Sequence, residues 1–206
     1  PRSGERPQGG GGGGEKGWAG IKKKPRRRGA SIVFIDETGF RLQPVNRRTW
    51  APRGQTPVQR AWERYDRLSV IGAVTLSPTR RRIGTPFQIH DDNVRTDQVV
   101  DFLRQLRRQL QRPLIICWDR WQVHRSAAKR IAASRLENIE FEWLPAYAPE
   151  LNPVEPRWGH TKHADLANFV PDDTSHLKRN VRSSLKKHHS NHQLKRSFFT
   201  SAKLKL

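Results

Sequence analysis

The sequence predicts an α/β fold in which a mixed five-stranded sheet is flanked by helices. The 206 residues suffice for one domain with a buried core. Apolar residues first follow the pattern of three successive strands, and strands and helices then alternate, which gives the order βββαβαβα. An antiparallel start followed by strand–helix alternation is typical of a mixed sheet with helices on its faces.

Three strands are predicted in the first half of the chain. An apolar run of β-prone residues at 31–35 forms the first, and residues 68–76 form the second. Between them, the proline-rich residues 41–60 predict a loop or an irregular hairpin. Residues 82–89 predict a weaker third strand.

The period of the apolar residues changes in the second half. From Val99 to Leu110 they recur at three- and four-residue spacing, which predicts a helix with Thr96 as its N-cap. The continuous apolar run at 114–118 predicts a strand that is covered on both faces. The remaining predictions are a helix at 124–136, a strand at 139–143, a helix that begins at Asn152 and a basic amphipathic helix around 177–185.

Basic residues are concentrated at the two ends of the chain. The sequence carries 40 Lys and Arg against 19 Asp and Glu, a net charge of +21. Residues 1–30 and 171–206 each carry nine basic and two acidic side chains, so the charge density is highest there. We therefore expect a folded body at 31–170 between a disordered, Gly-rich basic arm and a basic helical C-terminal tail. Basic ends favour nucleic acid as the partner, and solvated tails without a specific partner are the alternative.

Composition excludes several classes of protein. No stretch approaches the roughly 20 apolar residues of a membrane span, and the mean hydropathy is −0.85. The single cysteine, Cys117, excludes a disulfide framework within the chain and is typical of a reducing compartment. No secretory signal is visible. Because the chain begins at Pro1 and contains no Met, we expect a fragment of a longer protein.

Three carboxylates follow apolar elements where functional groups collect in α/β proteins. Asp36 and Asp119 each end a predicted strand, and Glu155 lies at the start of a helix. If the first and fourth strands are parallel neighbours, the two aspartates converge. Crowded carboxylates repel one another unless a divalent cation neutralises them, and oxygen ligands suit two Mg²⁺ or Mn²⁺ ions. Such a pair promotes in-line phosphoryl displacement. The alternative is that each acid is a helix cap or a surface residue.

The residues around these acids form blocks with a recognisable pattern. They are FIDETGF at 34–40, WDRWQVHRS at 118–126 and LPAYAPELNPVE at 144–155, with WAPRG at 50–54 as a further segment. The blocks closely resemble the signature blocks of mariner-type DDE transposases of bacterial insertion sequences. The resemblance covers about residues 31–170.

The resemblance implies an RNase H-like DDE catalytic domain at 31–170. In it, Asp36, Asp119 and Glu155 are the catalytic residues and bind two Mg²⁺ or Mn²⁺ ions. Such enzymes hydrolyse DNA at transposon ends and join the freed 3′-hydroxyl to target DNA. The implied partner is double-stranded DNA, as transposon end and as target, with two protomers on DNA and no membrane. The implied location is the bacterial cytoplasm, with the nucleoid.

Two features depart from the family pattern. Residues 1–30 are too short and too Gly-rich for the helix-turn-helix that normally recognises element ends, so we expect a truncated chain without it. Pro156 directly follows Glu155. If Asn152 is the N-cap, Pro156 falls at N4, removes the first intrahelical hydrogen bond and loosens Glu155. The alternative function is therefore a catalytically inactive remnant that only binds DNA non-specifically. A ribonuclease of the same fold that cleaves RNA–DNA hybrids is a third hypothesis.

Neighbouring side chains are open to two interpretations. Glu37 adjoins Asp36, and strand alternation points it to the opposite side, which predicts a surface role rather than a supporting one. His124 and Arg125 would contact the scissile phosphate or orient a ligand, or they belong only to the start of a helix.

A histidine-rich segment near the C-terminus superficially suggests a metal site. It lies among lysines and is without a cysteine or an acidic partner, so a phosphate-facing or solvated stretch is favoured. Its histidines are His188, His189 and His192.

Overall fold

The computed structural model describes residues 29–60, 66–134, 136–146 and 148–206. Residues 1–28 lie outside the described residues, so the disordered arm at 1–30 stays a prediction. The division of the chain at residues 30 and 170 stays a prediction as well.

Six strands and five α-helices follow one another within the described residues. The strands are β1 Ser31–Arg41, β2 Arg67–Leu76, β3 Ile83–Gly84, β4 Phe87–His90, β5 Leu114–Trp118 and β6 Ile139–Trp143. The helices are α1 Thr96–Leu110, α2 Gln122–Ala132, α3 Val154–His160, α4 Thr174–Ser190 and α5 His192–Ser201. A 3₁₀ turn, Pro149–Leu151, precedes α3, and a π-helical turn, Thr161–Asp165, continues it. None of these described helices is long and apolar enough to cross a membrane.

All six strands belong to one mixed sheet. Its order is β3-β2-β1-β5-β6, and β4 also pairs with β2. β2 is antiparallel to β1, whereas β1, β5 and β6 run parallel to one another. The predicted α/β class with a mixed sheet is therefore confirmed. In particular, β1 and β5 are the parallel neighbours on which the convergence of the two aspartates depends.

The predicted third strand consists of two short strands. Thr85 and Pro86 separate β3 from β4, and each part pairs antiparallel with β2. Proline has no N–H to donate to the ladder, so pairing is interrupted at Pro86. The sheet therefore has six strands in the described residues where five were predicted.

Helix boundaries differ from the predicted ones by a few residues. α1 begins at Thr96, but its N-cap is Arg95, whose backbone N–H donates to the side chain of Gln98. Thr96 is thus the first helical residue and not the cap. α2 ends at Ala132, four residues before the predicted end at Leu136.

Both faces of the sheet are covered by helices. In β1, Ile32 and Phe34 belong to one core cluster and Val33 and Ile35 to the other, as the two-residue period of a strand requires. α3, α4 and α5 cover the first cluster, and α1 and α2 cover the second. Phe199 of α5 packs edge-to-face on Phe34, with ring centroids 6.1 Å apart. The helices of the C-terminal segment are thus part of the domain core.

Candidate active site

Asp36 lies within β1, and Asp119 directly follows β5, the parallel neighbour of β1. The last paired position of β1 and β5 places Phe34 opposite Cys117. Each aspartate follows two residues later, so the backbones of both acids lie at the same end of the β1–β5 ladder. The register thus places next to each other two parts of the chain that are far apart in the sequence.

Glu155 of α3 meets Asp36 across the first core face. Burial, followed by the nearby charges of Glu155 and Glu37, raises the pKa of Asp36 well above its usual range. Trp158, also on α3, donates from Nε1 to Oδ2 of Asp36 over 3.0 Å. The structure therefore groups Asp36 with Glu155, and burial beside other acids disfavours the charged form of Asp36.

A lysine faces the same two carboxylates. Burial lowers the pKa of Lys162, while Glu155 and Asp36 act in the opposite direction. Its Nζ donates to Oγ1 of Thr38 over 2.5 Å, which fixes the ammonium beside β1. Lys162 is therefore a further residue of the candidate site.

Two hydrogen bonds of Asn152 hold the start of α3 in place. Asn152 donates from Nδ2 to the carbonyl of Ile35, 3.2 Å away, and its Oδ1 accepts from the backbone N–H of Val154, also over 3.2 Å. Asn152 thus joins α3 directly to β1, one residue before Asp36. This contact sets the distance between the helix that carries Glu155 and the strand that carries Asp36.

Arg157 anchors the same helix to the other strands. Its guanidinium is fully buried and donates to the carbonyls of Ala73, Thr85 and Pro86 over 2.9 to 3.2 Å. Burial lowers the pKa of this guanidinium, which remains charged at neutral pH. The two carbonyls of Thr85 and Pro86 belong to the break between β3 and β4, so the break supplies acceptors that hold α3.

The expected disturbance by Pro156 is absent from α3. The helix begins at Val154, so Pro156 is its third residue and not N4. The first N–H groups of a helix have no intrahelical partner, and a proline there removes no helical hydrogen bond. Glu155 donates its own N–H to the carbonyl of Asn152 over 3.1 Å. The predicted N4 position of Pro156 and the predicted loss of a helical hydrogen bond were therefore wrong.

His124 holds Asp119 on the other side of the sheet. Its Nδ1–H donates to Oδ1 of Asp119 over 2.6 Å, and its Nε2–H donates to Glu37 over 2.9 Å. The ring stacks on Trp118 with centroids 4.6 Å apart. Burial alone would lower the pKa of His124, but the hydrogen bonds and charges of Asp119 and Glu37 raise it to about 9. The imidazole is thus a cation at neutral pH and orients Asp119.

Glu37 is a supporting residue of the site, and the predicted surface role was wrong. Strand alternation does point it away from Asp36, towards α2. That face of the sheet is covered, however, so the Glu37 side chain is only 12% exposed and accepts from His124. Of the pair that follows Asp119, His124 orients a carboxylate, whereas Arg125 is exposed.

The sequence also matches a family model. Residues 31–178 match the model of the DDE superfamily endonucleases, which is more than half of the chain. The chain belongs to this family. No curated protein matches the sequence significantly.

Solved structures of Mos1 transposase share the fold of this DDE superfamily endonuclease. The Mos1 paired-end complex with left transposon end has a TM-score of 0.59 at 16% identity, and it covers 98% of this chain and 66% of its own. The Mos1 mariner paired end complex with Mn has a TM-score of 0.61 at 16% identity and covers 98% and 64%. The corresponding complex with Mg has a TM-score of 0.55 at 18% identity, and the match covers 98% of this chain and 64% of the Mos1 chain. The RNase H-like fold is thereby confirmed. The chain spans slightly less than two thirds of these Mos1 chains.

The residues of this DDE endonuclease domain fit a hard divalent cation. Asp36, Asp119 and Glu155 offer only carboxylate oxygens, the donors that Mg²⁺ and Mn²⁺ prefer. Burial and the neighbouring acids raise the pKa of Asp36, and a cation beside Asp36 and Glu155 would favour its charged form. The Asp119 side chain is 60% exposed and Glu155 is exposed, so both are accessible.

Sequence reasoning missed Lys162, Trp158 and Arg157. A signal for Lys162 exists, because it follows Glu155 by seven residues, about two helical turns, and so lies on the same helix face. Arg157 carries no such signal. Its burial depends on backbone carbonyls that a local break in a distant strand leaves available.

Proposed function

We propose that this chain is the catalytic part of a mariner-type DNA transposase of a bacterial insertion sequence. It would cleave DNA at the ends of the element and join the freed 3′-hydroxyl to target DNA by metal-dependent phosphoryl transfer. The observation that carries the proposal is the electrostatic interaction of Asp36 with Glu155, on a strand whose parallel neighbour directly precedes Asp119.

Asp36, Asp119 and Glu155 are the proposed catalytic residues and would hold two Mg²⁺ or Mn²⁺ ions. When bound, such ions activate the attacking water or 3′-hydroxyl and stabilise the leaving oxygen. The all-carboxylate donor set supports this assignment. Two of the similar Mos1 structures are described with Mn and with Mg.

Three other side chains of the chain have supporting roles in this proposal. His124 fixes Oδ1 of Asp119 and so directs the carboxylate. Trp158 holds Oδ2 of Asp36. Lys162 offers a cation beside the same carboxylates and would contact the phosphate on which they act. Each role follows from a contact within the protein, before any DNA is bound.

Double-stranded DNA is the proposed partner, both as transposon end and as target. The net charge of +21 supports a polyanionic partner, because basic side chains that neutralise phosphates release counterions. One similar Mos1 structure is a complex with a transposon end. Two protomers on DNA, one at each element end, and a location with the bacterial nucleoid belong to the same proposal.

Nicking of supercoiled plasmid DNA tests the proposal without knowledge of the element ends. The chain with Mg²⁺ or Mn²⁺ should nick the plasmid, and EDTA should stop the reaction. Asp119→Asn should lower the rate at least about 10³-fold, because loss of a charged ligand removes several kcal/mol of transition-state stabilisation. Glu150→Gln is the matched control, since Glu150 is an exposed acid in the same sequence block as Glu155.

Two results would overturn the proposal. Nicking that survives Asp119→Asn would come from another site or from a contaminating nuclease. Salt-sensitive DNA binding without any metal-dependent nicking would instead identify the chain as a DNA-binding remnant.

A further inference from the structure

A second group of titratable side chains lies at the far end of the helix that carries Glu155. His160 is the last residue of α3, Asp165 ends the π-helical turn, and His188 lies in the last turn of α4. Asp165 Oδ1 is 3.6 Å from Nε2 of His160, and Asp165 Oδ2 is 3.0 Å from Nε2 of His188. One donor atom of each residue lies within 4.8 Å of the other two.

The π-helical turn brings His160 and Asp165 together. In a regular α-helix, residues five apart point in directions that differ by about 140°. Here Leu166 donates its N–H to the carbonyl of Thr161, five residues back, over 3.0 Å. The widened turn rotates Asp165 towards the face of His160, and such turns occur frequently at functional sites.

We propose that His160, Asp165 and His188 bind a transition-metal dication, with Zn²⁺ as the expected ion. Two imidazole nitrogens and one carboxylate oxygen are the donors of three-ligand zinc sites, in which water takes the fourth position. Imidazole suits Zn²⁺ and similar ions, whereas Mg²⁺ prefers oxygen, so this site differs in selectivity from the three carboxylates. The site goes beyond the proposed DNA chemistry, which does not require it.

The three side chains are ready to act as ligands. His188 is only 1% exposed, and burial is the main reason that its pKa falls to about 4, so the ring is neutral at pH 7, the form that binds metals. Its Nδ1 is buried without a hydrogen-bonding partner among the described residues. For Nε2 to bind a metal, the ring proton moves to Nδ1, and the metal bond replaces the hydrogen bond from Nε2 to Asp165. His160 and Asp165 are 35% and 25% exposed, which gives an ion access.

The simpler interpretation is a hydrogen-bonded cluster that ties the π-helical turn to α4. Ser184 and His188 both donate to Oδ2 of Asp165, over 2.5 and 3.0 Å. The other oxygen, Oδ1, faces His160 at 3.6 Å, beyond hydrogen-bond length, and so remains open to an ion. The nearby charge of Arg157 opposes a cation here, so binding should need all three ligands.

Calorimetry tests the proposal. Zn²⁺ is titrated into the purified chain in the presence of millimolar Mg²⁺, and the heat of binding is measured. One Zn²⁺ per chain should bind. Loss of a residue that merely orients a ligand costs about 10- to 100-fold in metal affinity, so His160→Ala and Asp165→Asn should each weaken binding at least tenfold. His163→Ala and His189→Ala remove exposed neighbouring histidines and should leave the affinity unchanged.

A second readout is the thermal unfolding temperature. At a hundredfold excess of Zn²⁺ over its Kd, the Tm of the chain should rise by about 5 °C or more, and His160→Ala should abolish the rise. Asp119→Asn should keep it, which separates this site from the catalytic proposal. Zinc binding that is equal in His160→Ala and the control variants, or no rise in Tm, would overturn the site.

Discussion

Asp36, within β1, and Asp119, which directly follows β5, have opposite electrostatic surroundings. Asp36 lies among acids under α3, and burial together with Glu155 and Glu37 raises its pKa. Asp119 is more exposed, and its hydrogen bond from His124 lowers its pKa. The surroundings of the two aspartates therefore shift the pKa of the same residue type in opposite directions.

This contrast indicates that the covering helices, not the position on the strand, set the charge of each carboxylate. α2 brings a cation to Asp119 through His124, whereas α3 brings a further acid to Asp36 through Glu155. The surroundings of Asp119 therefore favour its charged form, whereas those of Asp36 disfavour it. Metal binding at this site should accordingly tighten as the pH rises through the pKa of Asp36.

The largest expected effect on stability comes from loss of the positive charge of His124 beside Asp119. The folded-state pKa of His124, about 9, lies above the unfolded value of 6.5. Its contribution to the free energy of unfolding is therefore complete below about pH 6.5 and is lost as the pH rises through 9, by roughly 3 kcal/mol at most. Urea unfolding of the metal-free chain between pH 6 and 10 should show this loss, and His124→Gln should not.

His189→Gln is the control for that experiment, because His189 is exposed on α4. It should keep the pH dependence of the unmodified chain. If the stability of His124→Gln depended on pH in the same way, the pH dependence would not come from the charge of His124. The contrast between the two aspartates would then have to arise from exposure alone.

A substitution on β2 should disturb the Asp36 side alone. A Cβ at Gly72 would lie 2.4 Å from Cη2 of Trp158, so Gly72→Ala must displace the indole that donates to Asp36. Overpacking of this kind costs about 1–3 kcal/mol, and the free energy of unfolding should fall by that amount. The plasmid-nicking rate should fall too, because Trp158 and Glu155 share α3.

Gly39→Ala provides a matched comparison on β1. A Cβ there would have the carbonyl oxygen of Leu68 at 3.9 Å as its nearest neighbour, which is an ordinary contact. We expect no loss of stability or nicking. Equal effects of the two alanines would show that the packing of Trp158 on Gly72 does not position Asp36.

The sequence was informative where the signal is local or periodic. The apolar runs at 31–35 and 114–118 correctly indicated central strands, and these strands are parallel neighbours covered on both faces. The break at Pro86 also had a local signal, the missing N–H of proline, which the prediction of a single strand at 82–89 did not weigh.

The remaining features depend on tertiary packing and could not be predicted in this way. Alternation placed Glu37 on the opposite face correctly, but its burial depends on α2, which lies far along the chain. Pro156 was misjudged because the position of a helix start, uncertain by one or two residues, decides whether a proline costs a hydrogen bond. Arg157 is buried because three carbonyls from other elements accept its protons.

The smallest expected effect on stability comes from asparagine substitutions that compare the two aspartates directly. Because the folded-state pKa of Asp36 is raised, its favourable contribution is present at acid pH and is lost as the pH rises through that pKa. Asp36→Asn removes the cost of burying a carboxylate beside Glu155 and Glu37, while its amide oxygen still accepts from Trp158. The metal-free chain should gain about 1 kcal/mol in its free energy of unfolding. Asp119→Asn should lose stability, since His124 would keep its charge beside a neutral partner.

Added Mg²⁺ should make the unmodified chain more stable than the Asp36→Asn variant, the reverse of their order without metal. The unmodified chain should gain stability with Mg²⁺, because the ion binds only the folded state, whereas Asp36→Asn should gain none. Urea unfolding in EDTA and in Mg²⁺ measures both values for each protein. The metal-free Asp36→Asn chain could instead prove less stable than the unmodified one. Groups of the protein, such as Lys162, would then already stabilise the Asp36 carboxylate without a bound cation.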